Sequence, residues 1–71
     1  MQYLVIIEKS DSGYGAYVPD LPGCIAAAES ESEVRQLIKE GIEFHIESLR
    51  EAGEPIPPPI SSSAVIDVNA A

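Results

Sequence analysis

Between Ser30 and Gly53 the sequence carries one long amphipathic pattern, and the rest of the chain must fold so as to cover it. Val34, Leu37, Ile38, Gly41, Ile42, His45, Leu49 and Ala52 recur at helical steps and form a stripe wide enough to pack on a sheet. Arg35, Gln36, Lys39, Glu40, Glu43, Glu47, Arg50 and Glu51 fall on the opposite face, and Phe44 and Ile46 flank the stripe. Both ends are signalled. Ser30 with Glu33 three positions on has the spacing of a capping box, in which the hydroxyl accepts from the Glu33 backbone and the Glu33 carboxylate reaches back to the Ser30 N–H. Glu29, Glu31 and Glu33 suit the positive end of the helix dipole. Gly53 offers a left-handed stop and Pro55 prevents resumption, so the predicted helix runs from Glu31 to Ala52. A lone helix needs a sheet to bury its stripe, and it covers only one face of that sheet.

The sheet is read from the flanks. Tyr3 to Lys9 is a short apolar run rich in Tyr, Val and Ile, with Tyr3, Val5 and Ile7 on one face and Leu4, Ile6 and Glu8 on the other. Both faces are apolar as far as Ile7, which predicts a central strand rather than an edge strand. Ser10-Asp11-Ser12-Gly13 supplies turn chemistry, Tyr14 to Val18 is the return arm, and Pro19 to Gly23 cannot extend a ladder because its two prolines lack N–H donors. Cys24 to Ala28 is a third strand. Glu54 to Pro59 is stiff and extended, Ser61 to Ser63 loosens the chain, and Ala64 to Val68 alternates like a fourth strand before a frayed end at 69–71. The expected order is β-β-β-α-β, an α+β two-layer domain. It spans residues 1–71, with 54–63 as the proline- and serine-rich connection to the last strand.

A chain of 71 residues has a thin core, since a domain of that size buries only about 60% of the surface its unfolded form exposes. One cysteine excludes an intrachain disulfide, and one Cys with one His cannot supply a zinc cage. Self-association is the remaining staple, so a homodimer or higher oligomer is expected. Twelve acidic and four basic residues give a formal charge of −8. Lys9, Arg35, Lys39 and Arg50 are scattered among carboxylates, which argues against direct nucleic-acid binding and favours a basic partner. No stretch is long and apolar enough to span a bilayer or act as a signal peptide, and the lone thiol fits a reducing cytoplasm.

No constellation points to catalysis or to a cofactor. Two-metal hydrolysis needs several convergent carboxylates, and Glu8 and Asp67 are the only acidic residues inside the first and last strands. His45 reads as a packed helix residue without triad partners, and Cys24 as a small buried hydrophobe. Gly13 and Gly15 precede no helix, so they make no phosphate loop. Tyr14 and Tyr17 fall on opposite faces of the second strand. With Leu21 beside them they either form a partly exposed aromatic patch or cover the second sheet face or a dimer contact.

Gly13-Tyr-Gly-Ala-Tyr-Val-Pro-Asp-Leu-Pro-Gly-Cys24, the capped start at Ser30 to Glu33, and His45-Ile-Glu-Ser-Leu-Arg-Glu-Ala-Gly-Glu-Pro-Ile-Pro57 occur in the order found in the HicB family, which the chain resembles over essentially its whole length. The resemblance implies a partial RNase H-like fold that binds and neutralises HicA-type toxins, small basic ribonucleases that cleave mRNA. Ala28-Glu29 stands where the family usually has Gly-Asp. No basic helical segment follows residue 68, so the chain resembles single-domain members that lack a C-terminal DNA-binding domain. Tyr14, Tyr17, Asp20, Leu21 and Glu29 are the expected partner-facing group. The alternative is an orphan homo-oligomeric interaction module, also without catalytic activity.

Overall fold

In a computed structural model, which describes residues 1–70, the order is β1 (Ile6–Ser10), β2 (Gly13–Tyr17), β3 (Ile25–Ala28) and α1 (Glu31–Glu51). The strands form one antiparallel sheet in the order β1-β2-β3, with α1 packed chiefly on β2 and β3. This is the α+β arrangement anticipated from the sequence. Ala16, Val18, Leu21, Cys24, Val34 and Ile38 are the buried core, and Leu21 and Val34 are fully enclosed. The helix stripe is narrower than expected. Leu37 is exposed, while Gly41, Ile42, His45, Ile46 and Leu49 are half-buried.

Local chemistry explains most boundaries. In the first hairpin no non-glycine residue takes a positive φ, so the unusual dihedral falls on Gly13, at +143°. A Cβ there would lie 2.5 Å from the Ala28 carbonyl oxygen, so only glycine fits. β2 leads into two successive turns. The Leu21 N–H donates to the Val18 carbonyl (3.1 Å) with Pro19 second in the turn, and the Cys24 N–H donates to the Leu21 carbonyl (3.0 Å). The second turn has Pro22 and then Gly23 at φ +86°, the residues and dihedral of a type II turn. The Val18 N–H donates to the Cys24 carbonyl (3.2 Å) and closes the pair, so the six residues from Val18 to Pro22 and Gly23 turn inward around Leu21.

The helix ends follow the same logic. The Ser30 hydroxyl accepts from the Glu33 N–H (3.2 Å) and itself donates to Glu33 Oε1 (2.9 Å). The Glu33 carboxylate therefore meets the Ser30 side chain rather than its backbone N–H, a variant of the expected box. At the other end Ala52 is the C-cap and Gly53 adopts φ +69°. Its N–H donates to the Arg50 carbonyl (3.1 Å) and the Glu54 N–H to the Leu49 carbonyl (2.9 Å), the Schellman pair.

Two expectations are corrected. β1 is an edge strand, not a central one, and it begins at Ile6 rather than Tyr3. The reason is that its partner β2 ends at Tyr17, paired with Ile6, and Pro19 then turns the chain away from Tyr3–Val5. The fourth strand is also absent among the described residues. Ala64–Val68 has no ladder partner, and Val65, Ile66 and Val68 are exposed. Its apolar alternation is that of a strand, but a strand needs a neighbour for its N–H and C=O groups, and this segment reaches none. Residues 54–63 therefore lead into an unpaired segment. Of the frayed end expected at 69–71, Ala71 lies outside the described residues.

Candidate partner-binding face

The hairpin register places the site. Ile6 pairs with Tyr17 and Tyr17 with Ile25, so these three side chains share one row across the sheet. Val5, Ile7, Tyr14, Ala16, Ala26 and Ala28 pack toward the helix, which by alternation turns the Ile6–Tyr17–Ile25 row to the opposite face. Among the described residues no helix or further strand covers that face. Tyr17 is 42% exposed and Ile25 74%, an apolar row on an otherwise strongly acidic protein. Glu8 follows on the same face, paired with Gly15, which in turn pairs with Ala27. The geometry offers a flat aromatic and aliphatic strip with a carboxylate beside it, suited to contact with another macromolecule.

The five residues singled out from the sequence are not brought together. Tyr17 lies in the exposed row. Tyr14 points the other way and packs against the core. Leu21 is fully buried, which removes it from any exposed patch, because the two tight turns fold it inward. Glu29 is exposed beside Gly13, at the end of the sheet opposite Asp20. Asp20 is already engaged. One carboxylate oxygen accepts from the N–H groups of Ile60 (3.0 Å) and Ser61 (2.9 Å), and the other from the Ser61 hydroxyl (2.7 Å). The hydrogen bond from the Ser61 backbone is the main reason its carboxyl sits below the ordinary aspartate value. Asp20 thus anchors the return of the chain after the proline run, helped by the Tyr3 hydroxyl donating to the Pro57 carbonyl.

Ile6 and Ile25 were missed. Ile6 could have been paired with Tyr17 by counting back from a two-residue turn at Asp11-Ser12. Ile25 required knowing that the Pro-Asp-Leu-Pro-Gly stretch returns the chain in register.

The candidate chemical groups stay apart. Glu8 lies in β1 and Asp67 in the unpaired segment, so the strand neighbourhood that could have joined them is missing. Among the described residues no group of three His, Cys, Asp or Glu could hold a metal ion. Burial pushes the Cys24 thiol up from its ordinary value, the direction that disfavours a thiolate. No helix of the described residues is long and apolar enough to cross a membrane.

The sequence matches, over residues 3–70, the family described as "HicB_like antitoxin of bacterial toxin-antitoxin system". An "Uncharacterized 14.9 kDa protein in rep-hol intergenic region" of Haemophilus phage HP1 is 46% identical over 57 residues, which span 80% of this chain but only 43% of that relative. A UPF0150 protein of Thermoplasma acidophilum is 45% identical over 58 residues, 80% of this chain and 84% of the relative. A chain of the solved "HicA3 and HicB3 toxin-antitoxin complex" superposes with a TM-score of 0.71 at 33% identity, over 83% of this chain and 70% of that one. With a match that leaves out only three of its residues, and a fold shared with that complex, the chain belongs to the HicB-like antitoxins of bacterial toxin–antitoxin systems.

Proposed function

We propose that this protein neutralises a small basic HicA-type toxin by binding it, without catalysing a reaction of its own. The observation that carries the reading is the likeness, in fold and at 33% identity, to a chain of a HicA3–HicB3 complex. The row Ile6–Tyr17–Ile25, half-buried at Ile6 and exposed at Tyr17 and Ile25, is the contact surface, with Glu8 beside it and Glu29 at the end of β3. A net charge of −8 steers a basic partner and competes with RNA phosphates for it. A cytoplasmic setting goes with an mRNA-cleaving toxin as the target. The chain acts as a homodimer or higher oligomer, which its small core and its unpaired segment at Ala64–Val68 favour.

The test is co-purification with a HicA-type ribonuclease encoded beside this gene, with RNA cleavage as the readout. Stoichiometric addition of the chain should stop cleavage, and Tyr17→Ala or Ile25→Asp should weaken inhibition at least about tenfold, as loss of an interface anchor does. A complex that leaves cleavage intact, or inhibition indifferent to both substitutions, would reject the toxin reading or its surface respectively.

A further inference from the structure

The sheet has two edges, and only one of them is guarded. β1 carries Glu8 and Lys9, and charges on an edge strand deter further pairing. β3 is Ile25-Ala-Ala-Ala28, with no charge and no proline, and its register with β2 runs without a bulge. Its free backbone groups can be named. The Cys24 carbonyl accepts from the Val18 N–H (3.2 Å), and the Ala26 and Ala28 carbonyl oxygens lie beside Gly15 and Gly13 of β2. Alternation along the strand then turns the N–H and C=O groups of Ile25 and Ala27 outward, away from the sheet.

The helix leaves apolar surface over the same edge. Ile38 and Ile42 line the groove on the β1 side, while Gly41 faces the Cys24 sulfur next to β3. At about 100° per residue, Leu37 and Phe44 fall beyond Gly41, on the side of α1 away from that groove. They are 44% and 74% exposed. The charges at this margin have one sign. Glu29 ends β3, and Glu33 and Glu40 flank Leu37 on the helix, all three exposed, whereas Arg35 and Lys39 line the groove on the opposite side. A strand added at the usual spacing of about 4.8 Å beyond β3 lies below Leu37 and Phe44.

We infer that the basic toxin adds an extended segment to the sheet as a fourth strand along β3, exchanging backbone hydrogen bonds with Ile25 and Ala27. The inference rests on the toxin reading proposed above and names how that partner is held. The inward side chains of the added strand are apolar and pack beneath Leu37 and Phe44, and Lys or Arg beside them meets Glu29 and Glu33. The new contact is continuous with the outer row, because Ile25 belongs to both: its side chain ends the row and its backbone faces the edge. Backbone bonds hold any extended chain, and the apolar and acidic residues above the edge select a basic one. A second copy is the poorer occupant, since it brings its own Glu29, Glu33 and Glu40 and a net charge of −8.

The experiment follows amide hydrogen exchange in the full chain by NMR, free and with the HicA-type toxin encoded beside this gene, alongside inhibition of RNA cleavage. The Ile25 and Ala27 amides should exchange at least about tenfold more slowly in the complex, as newly bonded N–H groups do. Ala27→Pro, which removes the outward N–H, and Phe44→Ala should each weaken inhibition by about tenfold or more. Phe44 is exposed, so its replacement leaves the fold intact and keeps the test open even where Ala27→Pro disturbs the strand. Inhibition that depends on Tyr17 while the Ala27 amide exchanges as in the free chain overturns the strand addition and leaves the toxin reading standing. Full inhibition by Phe44→Ala overturns the helix contact in the same way. Protection of Ile25 and Ala27 that grows with the concentration of this chain alone gives the edge to a second copy and overturns the assignment. Absence of any binding to the toxin overturns the toxin reading and this inference together.

Discussion

The two flanks of the sheet are finished in different ways. On the β3 flank the turns, the helix cap and the inner face are closed within the chain, although β3 is also an edge strand and Ile25 stays exposed. The double turn hydrogen-bonds itself shut around Leu21, Ser30 caps the helix that follows, and α1 roofs the strand. On the β1 flank the apolar inner face is open along a groove, and the one remaining strand-like segment points elsewhere. One flank holds the single chain together; the other is left open. A small acidic domain can therefore carry apolar surface without having misfolded, provided each exposed element has a partner of its own.

The sharpest way to break this comparison is to truncate equivalent aliphatic residues on buried and open surfaces. Leu21→Ala should cost about 3 kcal/mol in urea unfolding, the range for an enclosed leucine whose cavity cannot collapse. Ile25→Ala, four residues further along the chain, should change stability by less than about 0.5 kcal/mol. Equal costs would erase the distinction between core and binding row. Gly13→Ala comes next, at about 2 kcal/mol, because the added methyl combines an unfavourable φ with a 2.5 Å approach to the Ala28 carbonyl. Thermal unfolding should show that loss, and a neutral result would mean the first hairpin tolerates rearrangement. Ser30→Ala should cost about 1 kcal/mol, read as a lower unfolding midpoint, if the cap contributes as its geometry indicates.

The smallest effect is local and pH-dependent. Asp20 has its carboxyl lowered chiefly by the hydrogen bond from the Ser61 backbone, so the ionised form is favoured in the folded chain. A depressed folded value means the anchor is fully present above the ordinary aspartate value and is lost as pH falls through the lowered one. Amide resonances of Ile60 and Ser61 should shift in that acid range, before any global transition, and Asp20→Asn should remove the titration. Resonances that move only with global unfolding would show that Asp20 does not hold the segment independently.

Much of the fold was legible because it is encoded locally. The capping pair Ser30 and Glu33, the Gly53–Pro55 stop and the two-residue turn at Asp11-Ser12 each declare themselves through a few adjacent residues. What was not legible depends on neighbours distant in sequence. The pattern of β1 reports apolar residues on both its faces, not where in the sheet the strand lies. Leu21 sits between two prolines in a stretch that reads as an exposed loop, and only the pair of tight turns reveals that it points inward. Asp20 looked like a surface charge for a partner because its true contacts are forty residues away, at Ile60 and Ser61. Tyr17 could be placed on a face, while the row it shares with Ile6 and Ile25 needed both registers.

The double turn between Val18 and Cys24 also bears on the order in which the molecule assembles. Both hairpins of the sheet close over short loops, so their chain-closure entropy is small and the strands find one another through local search. The helix follows directly in sequence and can dock as soon as the strands meet. Folding of one copy is then a fast unimolecular event. Binding to any partner is bimolecular, and that is the step whose rate rises with protein concentration.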